Sequence, residues 1–320
     1  MPLNSVLITL GDGRWHATAD LRRATGLDEA AVTAALRQAR AAGLPLAEAG
    51  DRWRWTGAVE PLAAEAIRVA VPAAARPLLR GLDVYGRIDS TNEALRRLPR
   101  AALHGRACLA ECQTRGRGRR GRAWLSPPAA NLYLSLGWRY ALPATALAGL
   151  SLAVGVAAAA VLRRWSDGAV GVKWPNDLFI GPAKLGGVLI ELLPQGAGVA
   201  VIVGLGVNLA MPRDGVQPDQ PWTRLAEHCP PQRLWQRNRL AGELLGALLA
   251  LLRDYPDGGA ERLHAAWPAY DLVRGHPVRV LAGEACYNGQ AEGIDAQFRL
   301  RLRCGDRVMR FDAGEVSLRW

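Results

Sequence analysis

The sequence predicts an α+β fold in three parts, and three observations predict it. Residues 1–60 carry three helical patterns and then a short hairpin pattern. Residues 81–270 interleave buried-type strands with long apolar helices. Residues 271–320 change to strand alternation with glycine turns. Residues 61–80, with Pro61, Pro72 and Pro77 around one short helical run, read as a linker between the first two parts. With 320 residues, half of them hydrophobic and 22% charged, the chain is long enough for each part to bury its own core.

In the first part, residues 3–10 form a helix and Gly11-Asp12-Gly13 a turn. Residues 18–25 form a second helix with Thr18 as its N-cap. Residues 28–42 form a third, with apolar Ala31, Val32, Ala35, Leu36 and Ala39, closed by Gly43 in the C′ position. Residues 46–55 turn back at Gly50-Asp51 as a hairpin. Three helices and a hairpin resemble a winged helix-turn-helix DNA-binding unit. The third helix opens on Asp28-Glu29, however, and the hairpin tip carries Asp51, carboxylates that oppose binding to phosphates. DNA binding and purely structural use of the same shape both remain open.

In the central part, a strand over 82–88 leads into Asp89-Ser90-Thr91-Asn92-Glu93, whose short polar groups suit a helix N-terminus. Strands follow over 108–111, 132–138, 170–174, 178–180, 188–193 and 199–206, and an amphipathic helix over 240–252. The run 141–162 carries no charge and is long enough to span a bilayer. Its alanines, glycines, Pro143 and Ser151 mark it instead as a buried helix ending at Arg163-Arg164. The last part alternates over 278–281, 297–302 and 308–311.

Residues 111–124, ECQTRGRGRRGRAW, are the most informative stretch. Arg115, Arg117, Arg119, Arg120 and Arg122 are interleaved with Gly116, Gly118 and Gly121. Glycine lets backbone N–H groups approach an anion, and arginine offers planar bidentate donors to carboxylate and phosphate. Gly116-x-Gly118-x-x-Gly121 satisfies the dinucleotide-binding pattern in letters but not in context. A strand and not a helix follows it, and no acidic residue appears before Asp167. No Gly-Lys-Ser/Thr closes a phosphate loop of the Walker kind. Neighbouring like charges about 7 Å apart in water repel by about 0.6 kcal/mol, so the loop is expected to order on binding an anionic ligand. Lys184-Leu185-Gly186-Gly187, close after Trp174-Pro175-Asn176-Asp177, is a second anion-approach device.

Composition narrows the class. Residues 58–140 hold fourteen basic and six acidic side chains, so most of the net charge of +11 surrounds the arginine loop. Cys108, Cys112, Cys229, Cys286 and Cys304 are odd in number and scattered, which fits free thiols in a reducing compartment. The five histidines have no metal-ligand spacing, and the N-terminus has no basic-then-apolar signal segment. A cytoplasmic protein without a membrane anchor is expected.

Ser90-Thr91-Asn92, Gln113 with GRGRRGRAW, KWPND at 173–177, KLGG at 184–187 and GLGVN at 204–208, in that order, resemble the biotin protein ligases. With the N-terminal helices and the closing GEVSL at 314–318, the resemblance extends to the bifunctional ligase and biotin-operon repressor class. It implies a winged helix-turn-helix N-domain, a mixed-sheet catalytic domain and an SH3-like C-terminal β-barrel. It implies ATP and biotin as reactants with Mg²⁺, and formation of biotinyl-5′-adenylate. Transfer to a lysine of the biotin carboxyl carrier protein of acetyl-CoA carboxylase then follows. Operator DNA and a homodimer are the further partners.

By the same resemblance, Lys184 and Arg119 are catalytic. Ser90, Thr91, Asn92, Gln113, Arg117, Gly118, Arg119 and Lys184 bind biotin, and Arg122, Trp124, Asp177 and Asn208 the nucleotide. Asp177 either helps place Mg²⁺ or orients Lys184. The alternatives are a lipoate or octanoate ligase, and a ligand-sensing repressor without catalysis.

Overall fold

The computed structural model describes residues 2–41, 43–213, 220–313 and 316–319. Helices α1 (Pro2–Leu10), α2 (Thr18–Thr25) and α3 (Glu29–Ala41) accompany a small antiparallel sheet of β1 (His16–Ala17), β2 (Leu46–Ala49) and β3 (Arg52–Trp55), in the order β1-β3-β2. Val6, Leu7, Leu10, Leu21, Val32 and Leu36 form its core, closed by Trp53 and Trp55 of the hairpin. Thr18 is not the N-cap expected of it. It is the first residue of α2, and its hydroxyl donates to the Asp51 carbonyl at 3.0 Å, fastening the helix to the hairpin turn. Asp28 caps α3 instead, accepting the Ala31 N–H at 2.7 Å. Gly43 takes φ +74° and Leu44 N–H returns to the Ala39 carbonyl, so α3 ends as its glycine predicts.

The middle of the chain forms a seven-stranded sheet. Its strands are β4 (Gly81–Tyr85), β5 (Arg106–Ala110), β6 (Asn131–Tyr140), β7 (Val170–Lys173), β8 (Asp177–Ile180), β9 (Ala183–Gln195) and β10 (Gly198–Asn208), ordered β4-β5-β6-β10-β9-β8-β7. β4 and β5 pair in parallel and the other neighbours antiparallel, giving the expected mixed sheet. Helices α4 (Ala64–Ala70), α5 (Thr91–Arg96), α6 (Leu150–Trp165), α7 (Pro231–Leu234), α8 (Arg237–Asp254) and α9 (Gly259–Ala266) accompany it.

Alternate residues of β10 divide between the two faces of the sheet. Val199, Val201, Val203 and Leu205 join the large core with α6 and α8, while Ala200 and Ile202 pack with Leu95 of α5. Gly204 and Gly206 continue the α5 side, where the missing side chains leave room.

Two expectations change here. Residues 61–80 hold the short helix read in the linker, α4, but are packed closely. Leu62, Ile67, Val71 and Leu79 belong to the large core, and a Cβ on Gly242 of α8 would meet Ala70 of α4 at 2.6 Å. The prolines bound a packed helix. The apolar run begins with a short 3-10 turn, Ala144–Leu147, breaks at Gly149 (φ +79°) and continues as α6 through Trp165. By length and composition this run could cross a membrane. Its Leu152, Val154, Val161 and Leu162 are buried in the core.

Five antiparallel strands close the chain: β11 (Pro277–Ala282), β12 (Ala285–Ile294), β13 (Leu300–Cys304), β14 (Arg307–Phe311) and β15 (Val316–Arg319), ordered β14-β13-β12-β11-β15. The alternation pattern missed β12, whose exposed polar residues and register shift between Ala291 and Ile294 interrupt the period of two. Gly314 and Glu315 of the closing motif lie outside the described residues. This sheet docks on the middle one through Phe298, which stacks on His264 at 4.4 Å, and whose carbonyl accepts the Trp174 indole N–H at 3.1 Å.

Candidate active site

A cavity of about 340 Å³ opens on the α5 face of the large sheet, and all twelve residues selected from the sequence line it. At one end the start of α5 makes a fixed polar surface. Ser90 is buried and extended but makes no capping bond. Gln113 takes over that work, its Oε1 accepting the Thr91 N–H at 2.8 Å. Ser135 Oγ lies 2.7 Å from Thr91 Oγ1 and 2.6 Å from Asn92 Oδ1, and Asn92 Nδ2 donates to Glu191 at 3.2 Å. Gln113 Nε2 donates to Ser126 at 3.0 Å, tying this end to the far side of the arginine loop.

The arginine loop folds back on itself. Gly118 N–H donates to the Arg122 carbonyl and Trp124 N–H to the Gly116 carbonyl, with Arg120 at φ 58° and Gly121 at φ 72° making the bend. The expected charge repulsion is partly offset by partners that the sequence did not assign. Arg117 pairs with Glu93, and Arg115 lies 3.4 Å from Asp89. Arg119 donates to Asn176 Oδ1 at 3.0 Å and to the Ala313 carbonyl. Burial pulls the Arg119 guanidinium below its ordinary pKa, with Asp177 opposing.

Facing the loop, Lys184 Nζ lies 2.8 Å from Asp177 Oδ1 and 5.5 Å from the Trp124 ring centre. The register of β8 and β9, which sets Asp177 opposite Gly187 and Phe179 opposite Lys184, brings the two charges together. Gly206 makes room for Trp124, since a Cβ there would meet the indole at 2.6 Å. The buried Trp124 Nε1 has no hydrogen-bond partner among the described residues. Asn208 is buried, and its Nδ2 donates to the Thr223 carbonyl at 3.1 Å.

Sequence reading missed Lys173, Met211, Gln220 and Trp222, which also line the cavity. Residues 221–223 return beside Lys184, its N–H donating to Pro221 and its carbonyl accepting from Thr223. This places Trp222 at the wall with the Arg213 guanidinium 4.6 Å from its ring. No local pattern announces such a return. Lys173 did leave a signal: the chain has only two lysines, Lys173 and Lys184. Among the described residues no group of three or more His, Cys, Asp or Glu side chains could hold a metal ion.

A family model described as biotin/lipoate A/B protein ligase matches residues 84–208. The bifunctional ligase/repressor BirA of Salmonella typhimurium is 34% identical over 324 residues, covering 100% of this chain and 98% of the relative. The chain belongs to the biotin/lipoate A/B protein ligase family. A biotin–[acetyl-CoA-carboxylase] ligase of Mycobacterium tuberculosis is 37% identical over 246 residues, covering 74% of this chain and 88% of the relative. The Aquifex aeolicus biotin protein ligase solved with biotin and ATP superposes with a TM-score of 0.57 at 25% identity, over 75% of this chain and 99% of that one.

Proposed function

We propose that this protein is an ATP-dependent biotin ligase. The observation that carries the reading is one cavity in which a fixed amide and hydroxyl surface adjoins Lys184 and the arginine loop. In the first step a carboxylate oxygen of biotin attacks the α-phosphorus of ATP. The bond to the bridging oxygen breaks, and pyrophosphate leaves with biotinyl-5′-adenylate formed. In the second, the amine of an acceptor lysine attacks the acyl carbon and AMP leaves. Two anions must meet, so donors and positive charge are the main requirement and no enzyme nucleophile is needed.

The polar surface of Ser90, Thr91, Asn92 and Gln113 takes biotin, with Arg117, Gly118 and Arg119 closing over its acyl end. Lys184, steered by Asp177, draws carboxylate and α-phosphate together. Arg122, Trp124 and Asn208 take the nucleotide. Trp124 offers it a ring face and an uncommitted N–H, and Trp222 a second aromatic wall. Magnesium fits this site as an ion held mostly by phosphates and water, because among the described residues Asp177 is the single acidic side chain lining the cavity, and it already faces Lys184.

Incubation with ATP, Mg²⁺ and biotin, followed by mass measurement, tests the reading. Bound biotinyl-adenylate supports it. Exclusive use of lipoate or octanoate in competition, or no pyrophosphate release, sinks it.

The N-terminal unit (residues 1–60) is proposed as a winged helix-turn-helix acting on operator DNA. Two of the three acidic residues that counted against this have local partners: Asp28 caps α3 and Glu29 lies 3.3 Å from Arg22, while Asp51 stays exposed at the hairpin tip. Salt-dependent retardation of the protein's own promoter DNA supports repression, and retardation equal to that of unrelated DNA refutes it. Residues 81–270 are the catalytic domain, and 271–320 an SH3-like domain. The acceptor is the biotin carboxyl carrier protein, a homodimer is the repressing form, and the cytoplasm is the location.

A further inference from the structure

Next to the cavity lies a second group of polar side chains, buried from solvent and outside the cavity lining. Arg237, at the start of α8, and Glu111, just after β5, have side chains 0% and 2% exposed and meet at 2.6 Å. Neither lines the cavity. Glu111 is one stem of the arginine loop, and Asn131, at the start of β6, is the other. Arg237 Nη2 donates to the Asn131 carbonyl, and the Glu111 carbonyl accepts the Ala129 N–H at 2.9 Å. Ala129 adopts φ 50° in completing this closure, a conformation that costs a non-glycine residue energy. The second Glu111 oxygen accepts the Leu62 N–H at 2.6 Å, and Arg237 Nη1 reaches the Glu60 carbonyl at 3.2 Å.

A buried ion pair is a poor way to gain stability, since apolar residues of similar volume commonly do as well or better. What apolar residues cannot do is fix two chain stems at a set separation and direction. The planar fork of arginine can, because it donates along several fixed directions at once. The residues it holds are close to those proposed for ligand binding. Gln113 lies two positions beyond Glu111, and Asn208 stands opposite Asn131 in the register of β6 and β10.

We infer that Glu111 and Arg237 are positioning residues, a clasp at the stem of the arginine loop that sets how long the acyl-adenylate stays bound. The inference deepens the ligase reading and rests on it. The double variant Glu111→Met/Arg237→Met removes both charges and leaves no unpaired ion. It is expected to melt within a few degrees of the native protein. It should release biotinyl-adenylate at least tenfold faster, and trypsin should cut its ligand-free arginine loop at least tenfold faster. Arg237→Lys keeps a charge for Glu111 but not the fork, and should fall between the two on both measures.

A folded double variant with both rates within twofold of native overturns the clasp. Should the double variant not fold, native rates in Arg237→Lys overturn it equally. A native protein that forms no adenylate would refute the ligase reading, while the trypsin rates would still decide whether the stem is clasped.

Discussion

Lys184 is one charge held between two tasks. Its pairing with Asp177 at 2.8 Å keeps the ammonium oriented, and its 18% side-chain exposure leaves it partly open to solvent and ligand. A charge pair at 4 Å is worth about 4 kcal/mol at an effective dielectric of 20. Lys184→Ala is therefore expected to lower adenylation at least tenfold, measured as pyrophosphate release, with the melting temperature little changed. Near-normal release would remove charge neutralisation from the mechanism. Gly206 acts through the space it leaves. In Gly206→Ala the new methyl would stand 2.6 Å from the Trp124 indole, so the ring must move. KM for ATP should rise severalfold while KM for biotin stays within twofold; an unchanged KM for ATP would show that Trp124 does not seat the nucleotide.

At the scale of elements, the arginine loop, proposed as a cover over the acyl end of biotin, is fastened at its free end by Arg119. That residue reaches Asn176 on one side and the Ala313 carbonyl, between β14 and β15, on the other. Arg119→Gly removes both ties. Adenylate should then leak, read as biotin on lysines of an added unrelated protein. Added protein is needed because the chain's own lysines number two, and Lys173 is buried. An unchanged adenylate off-rate would argue against the cover.

Much of this site was legible because its residues sit in contiguous glycine-rich strings. Glycine beside charge favours close approach to an anion, so GRGRRGR and KLGG pointed to this cavity from chemistry alone, while the uncharged GLGVN reached it only through the family resemblance. The capping of Thr91 by Gln113 across 22 residues, and the contact of Glu111 with Arg237 across 126, were not legible. They depend on which strands pair, and no local period carries that information. The linker was misread for a related reason: prolines mark where a helix starts and stops, but not whether its face is covered.

For the molecule as a whole, the acid side of the stability curve follows from where carboxyls are buried and where they are paired. Burial raises Glu60 above its ordinary value of 4.5, with bonds from Asn238 and the charge of Arg237 opposing. Burial likewise raises Asp271 above 3.8. Between its unfolded pKa and a raised folded pKa, such a group binds more protons in the native state, so stability grows as pH falls through that window. Asp89 and Asp254 behave oppositely. Hydrogen bonds from Arg97 and Arg253 hold them below 3.8, and the stability they supply is present above that value and lost as pH falls through their folded pKa. Glu60 and Asp271 should therefore lift the melting temperature as pH falls toward their ordinary values. They act against His104, which burial holds below its ordinary 6.5 and which costs stability as pH falls past that value. Below about pH 4 the loss of the Asp89 and Asp254 ties should dominate. Glu60→Gln separates the two effects. The amide keeps an acceptor oxygen for the Asn238 N–H, bonded at 2.6 Å in the native protein, but has no proton to gain. In that variant the lift should shrink while the fall below about pH 4 stays. A variant whose melting temperature follows the native protein's through the whole acid range would show that burial at Glu60 does not govern this limb.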